Sequence, residues 1–221
     1  MVQQGKVAKA LKRMAGKAAF RMISGIMGGN LAAMRLQRHK EFFHHTVDCF
    51  EEQDGPFKPR SNMLSVTGQI HHVTGGIELF LSGLVLSLDR FNGIQLVSRR
   101  APAAQWIGLK EGFSNLAWTA LSNKDADATT YPQSFENALR GFDETIDLAA
   151  DIFGQLTPEE LVLPLSENPM GIKNPMYVLE MLIDHTAHHR GALAQYARLL
   201  GKEPNFPYFK LSESAHEAQF M

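Results

Sequence analysis

Four stretches of the chain carry apolar residues at steps of three and four, the spacing that returns a side chain to the same side of a helix. Leu31 to Gln53 is the first, stopped by Asp54-Gly55-Pro56. Ser65 to Leu88 is the second, with Ser65 placed to cap it and Ile70, Val73, Ile77, Leu81, Leu84 and Leu88 as its dominant stripe. Ser134 caps the third, which ends near Leu156 and buries Phe135, Leu139, Phe142, Ile146, Ala149 and Phe153. The fourth, Pro175 to Leu200, has Asn174 as a cap, Pro175 at the first helical position and Gly201 to close it in a left-handed conformation. No segment alternates as a strand does, so the pattern predicts an all-α four-helix bundle without a β-sheet.

Two regions lie outside that pattern. Residues 2 to 26 read as an amphipathic helix, with Val7, Leu11, Met14, Ala18 and Met22 on one side and Lys6, Lys9, Arg13, Lys17 and Arg21 beside them. Residues 89 to 133 mix Trp106, Trp118, an Arg99-Arg100 pair and a polar run from Ser122 to Thr130, with one short helix expected around Ala104 to Leu121. Bundle loops usually take about 2 to 8 residues, so this is an insertion placed to cover the mouth of a site. The organisation expected is therefore a basic arm over 1–30, a bundle domain over 31–211 and a tail over 212–221.

Composition narrows the picture. A chain of 221 residues with 44% hydrophobic and 20% charged residues can bury a real core in one domain. Its single cysteine, Cys49, excludes an intrachain disulfide, and a cytoplasmic location is the default. No uninterrupted apolar run reaches membrane-spanning length; the nearest, Ile77 to Leu88, is broken by Glu78, Ser82 and Ser87. The net charge is -1, yet the first forty residues carry nine basic and no acidic side chains. Docking on an acidic surface of this or a second subunit is the leading reading of the arm, ahead of anionic lipid or nucleic acid. Asp143, Asp147 and Asp151, at four-residue spacing on the third helix, form either an ordinary solvated face or such a dock.

The chemistry-bearing side chains are histidines. His185, His188 and His189 fall within the apolar stripe of the fourth helix, where an imidazole needs a partner or loses about 1 to 3 kcal/mol of hydration. Two imidazoles one turn apart can converge on one metal ion, although core histidines satisfied by backbone or by each other show the same spacing. Relative to His185, His188 is turned by about 60° and His189 by about 40°, so helix geometry permits either as a partner. On the second helix His71 shares its side with Thr74, Glu78 and Ser82, while His72 lies with Gly76, Leu79, Gly83 and Leu86. Small neighbours favour a cavity beside His72, but periodicity does not choose between the two. His44 and His45 read as surface or packing residues, and Cys49 as packing.

His185-x-x-x-His189 running into Arg190-Gly191, followed by Tyr196, Gly201 and Pro204, resembles the terminal helix of the DinB/YfiT-like superfamily. One position departs from that pattern: the Gln that commonly follows Arg-Gly is Ala192. The turn at Thr157-Pro158-Glu159-Glu160-Leu161 also resembles the superfamily's linker. The resemblance covers about Leu31 to Phe209 and implies an up-down bundle, with a third metal-binding histidine from the second helix. His72-Val73 after Ser65-Val66 fits that frame better than His71.

The resemblance thus implies one divalent cation, zinc or nickel, on His72, His185 and His189. Three neutral nitrogens leave coordination positions open, as in catalytic rather than structural sites. It further implies a metal-dependent enzyme carrying out thiol transfer or hydrolysis on a small molecule, with a low-molecular-weight thiol as a possible co-substrate, and a homodimer. No carboxylate is spaced to be the general acid or base, so no catalytic residue is assigned. The competing expectation is a non-catalytic scaffold of the same fold that binds metal or a small ligand. No Rossmann, Walker, Cys-x-x-Cys or Gly-x-Ser-x-Gly pattern offers other chemistry.

Overall fold

The computed structural model of the protein describes residues 31–91, 94, 134–166 and 173–208. The basic arm, the C-terminal tail and nearly all of 92–133, including the helix expected around Ala104 to Leu121, lie outside the described residues. Among those described, α1 spans 31–47, α2 Val66–Ser87, α3 Phe135–Gly154, α4 Pro158–Val162 and α5 Pro175–Leu199, and no strand is present.

Helix ends follow the local chemistry. Ser65, Ser134 and Asn174 each accept a hydrogen bond from a first-turn N–H, at Gly68, Asn137 and Tyr177 respectively. At the far end of α5, Gly201 has φ +73°, its N–H donates to Arg198 O and the Lys202 N–H donates to Ala197 O, closing the last carbonyls. Thr157 and Glu160 form a reciprocal cap around α4, so the turn after α3 is itself a short helix.

α1 ends at 47, short of the expected Gln53. Thr, Val, Asp and Cys at 46–49 are weak helix formers, and Thr46 Oγ1 donates to Phe42 O while Cys49 Sγ donates to Thr46 O, offering the backbone local alternatives. The chain re-forms as a 3-10 turn over Glu52–Asp54. The break has a use: the Glu52 carboxylate accepts from the Phe135 and Glu136 N–H groups at 3.1 Å and so caps α3 from outside.

Contacts between helices fix their directions. Gln37 and Lys40 of α1 meet Asp147 of α3, whereas Phe43 stacks on Phe142, so α1 and α3 are antiparallel. Gln69 and Gly76 of α2 lie against His189 and His185 of α5, so this pair is antiparallel too. Gly55 lies beside both Thr67, at the start of α2, and Phe135, at the start of α3. Arg90, just after α2, pairs with Glu160, just after α3. α2 and α3 therefore point the same way, and the strict alternation expected of an up-down bundle is broken once. Phe91 and Ser134, the two ends of the connection after α2, therefore lie at opposite ends of the bundle.

Phe43, Ile70, Ile77, Leu81, Leu84, Phe142, Ile146, Phe153, Val178, Leu182 and Leu193 sit in one core. α2 is its axis: 18 of its 22 residues are buried, including His71, Thr74, Glu78 and Ser82. Its length and mean hydropathy of 1.2 are enough to cross a membrane, but 78% of that apolar window is buried inside the bundle.

Candidate metal centre

α2 and α5 meet along a seam where two helices bring three imidazoles together. One nitrogen from each of His72, His185 and His189 lies within 4.8 Å of the others. His72 Nε2 and His185 Nε2 are 3.4 Å apart, and the ring centroids of His189 stand 4.6 Å from His72 and 4.7 Å from His185. His188, though adjacent in sequence, is exposed and meets His189 edge to face. His71 is buried on another side of α2.

The close approach depends on Gly76. A Cβ there would overlap the His185 ring and stand 2.8 Å from Nδ1, so only glycine leaves room for this imidazole. Gly76 was among the small neighbours that favoured His72 in the sequence; the ring it accommodates belongs to the opposite helix.

The side chains that orient the cluster were not legible in the sequence. Gln69, one turn before His72, receives the His189 Nδ1 proton on its Oε1 at 2.5 Å, and its Nε2 donates to the Tyr196 hydroxyl at 3.2 Å. This relay places the His189 proton on Nδ1 and leaves Nε2 as a free lone pair. Gln69 carried one signal, an amide on the core-facing start of an apolar helix. His185 Nδ1 is buried without a hydrogen-bond partner among the described residues.

Electrostatics favour neutral rings. Burial, reinforced by the neighbouring histidines, pushes the pKa of His185 down to about 4 and that of His189 down to about 3; burial also lowers His72. Neutral imidazole is the form that binds metal. A tetrahedral zinc with bonds of about 2.0 to 2.1 Å separates its nitrogen ligands by about 3.3 Å, close to the His72–His185 spacing. Cluster, spacing and protonation state all fit a divalent cation. No aspartate, glutamate or cysteine joins the set among the described residues.

The other histidines have other partners. His44 Nε2 lies 2.6 Å from Asp143, and His45 Nδ1 3.0 Å from Pro207 O. Asp147 is taken by Lys40 and Gln37, so two of the three acidic positions considered as a dock for the basic arm are engaged by α1.

A helical bundle whose second and last long helices converge on three histidines defines a class of candidate metal-binding proteins. The sequence profile of the DinB superfamily matches residues 35–193, and the chain belongs to that superfamily. No significant match was found among curated proteins or among solved structures.

Proposed function

We propose that His72, His185 and His189 hold one divalent cation, zinc or nickel, and that the protein is a metal-dependent enzyme acting on a small molecule by thiol transfer or hydrolysis. The observation that carries this reading is the convergence of three half-buried, neutral imidazoles with no carboxylate or thiolate among the described residues to close the set. Such a cation would supply Lewis acidity toward a substrate oxygen or sulfur.

The chain's own residues do the rest. Gln69, itself bonded to Tyr196, holds the His189 proton at Nδ1, so that ring cannot swing or change tautomer without losing this hydrogen bond. Gly76 lets His185 lie against α2. Burial and the neighbouring histidines lower the ring pKa values and hold the nitrogens unprotonated at neutral pH. The test is elemental analysis of the purified protein, then a screen of the metal-loaded form against thiol acceptors and hydrolysable esters and amides. One equivalent of zinc or nickel with turnover in either class supports the reading. A protein that takes up no divalent metal overturns it; stoichiometric metal without turnover of either class would mark a binding scaffold instead.

A further inference from the structure

α5 has a second working face. Ala187, Gly191, Ala194 and Arg198 succeed one another at steps of four, three and four, on the side of the helix roughly half a turn from His185 and His189. The small side chains of Ala187, Gly191 and Ala194 leave a cavity of about 310 Å³ between α5, Thr46 of α1 and the segment 204–208. A Cβ on Gly191 would meet no atom within 4 Å. None of the cavity's lining residues belongs to the histidine cluster.

Arg190 stands on the wall of this cavity in an unusual state for an arginine. Its guanidinium lies 5.5 Å from the Phe42 ring centre and 5.3 Å from that of Tyr208, held between two aromatic faces. Among the described residues no carboxylate is paired with it. Arg90 shows what a satisfied arginine looks like here: both its terminal nitrogens bind the Glu160 carboxylate, at 2.7 and 2.8 Å. Arg198, also on the cavity wall, donates to its own helix at Ala194 O. No aspartate or glutamate lines the space among the described residues.

A half-buried guanidinium flanked by two aromatic rings, with no counter-ion among the described residues, is matched by a planar anion that accepts two parallel hydrogen bonds. The remaining walls suit a flat apolar body: an Ala and Gly floor, two prolines and the rings of Phe206 and Tyr208. The volume is at the small end of the range of about 300 to 1,000 Å³ for small-molecule sites, enough for a ring and its carboxylate. We propose that this cavity is a second ligand site, selective for a small aromatic carboxylate clamped by Arg190, on the opposite face of α5 from the histidines.

The full-length protein, as purified, would be titrated with benzoate, with neutral benzamide and with inorganic phosphate, following backbone amide shifts by NMR. Benzoate is expected to saturate in the range of about 0.1 to 5 mM, the strength available to so small a ligand, and to perturb the amides around Gly191. Benzamide and phosphate should bind at least about tenfold more weakly, having lost the charge or the planar fork and ring. Gly191→Leu fills the space and leaves the guanidinium; it should abolish benzoate binding without lowering the melting temperature. Arg190→Lys, which keeps the charge and loses the fork, should weaken benzoate by about tenfold or more. Benzamide or phosphate binding as tightly as benzoate, benzoate binding undiminished in folded Gly191→Leu, or no saturation by about 20 mM would each overturn the proposal. None of these readouts depends on whether the histidines hold a metal.

Discussion

The seam between α1 and α3 and the seam between α2 and α5 both contain histidine, and they treat it in opposite ways. In the first, His44 bonds Asp143, and that hydrogen bond raises its pKa against the lowering effect of burial. Lys40 and Gln37 bind Asp147 beside it. In the second, His185 and His189 face other histidines, and burial lowers both. Burial acts on both seams; the presence of a carboxylate decides the sign. An ion-paired seam keeps its imidazole ready to be charged, whereas a seam of imidazoles alone keeps lone pairs, and only the latter is suited to a cation.

The comparison breaks most sharply by deleting ligands. Ala at His72, His185 or His189 should lose most bound metal by elemental analysis, while His71→Ala and His188→Ala keep it; full occupancy in His185→Ala would end the metal reading. Next comes Gln69→Leu, which keeps the volume and removes the acceptor for His189. Loss of such a supporting hydrogen bond typically costs about 10- to 100-fold in metal affinity, measurable by chelator competition. An unchanged affinity would reduce Gln69 to packing. Gly76→Ala pushes a methyl into the His185 ring and should destabilise the fold by about 1 to 3 kcal/mol in urea titrations.

Protonation separates the seams in a graded way. In metal-free protein, His185 and His189 have folded pKa values below the unfolded value of about 6.5, so below that pH the unfolded chain binds protons the folded chain refuses. Stability should fall as pH drops from 6.5 toward 4, and bound metal should raise the whole curve while leaving that slope in place. His44 contributes the other way: its raised pKa stabilises below about pH 6.5 and the gain is lost as pH rises through its folded value. His44→Gln should therefore cost more at pH 5.5 than at pH 8, by about 1 kcal/mol or less, given its partial exposure. Melting curves of His44→Gln and of the parent protein across that range check the sign.

Much of this molecule was legible as sequence because the signals are local. Ser65, Ser134, Asn174 and Gly201 mark helix ends through bonds to residues two to four positions away, and the structure has each where the spacing puts it. The apolar stripes likewise yield the core. The direction of α3 was not legible, because it depends on which end of the bundle the connection after Phe91 returns to, and no local pattern encodes that. Nor was the early end of α1, whose stripe continues through Phe50 even though Thr46 and Cys49 divert the backbone. At the site, the histidines stood out by type, and family likeness selected His189 over His188 where helix geometry was indifferent. The pairing of Gln69 with Tyr196 was not legible because 127 residues separate the two.

The closure of α5 has a consequence for the histidines some distance along the helix. Lys202, held by the Gly201 turn, reaches back to Asp54 at 2.7 Å, and burial of that carboxylate, which would raise its pKa, is outweighed by Lys202 and by the Glu51 N–H. Asp54 sits in the turn leading into α2, and Phe57 and Gln69 both meet Tyr196 near the same end. α5 is therefore indexed against α2 like a shaft with a key. A helix free to rotate by one residue would turn through about 100° and carry His185 and His189 away from His72. The key stands at the end of the shaft, and it sets the angle at which the imidazoles arrive.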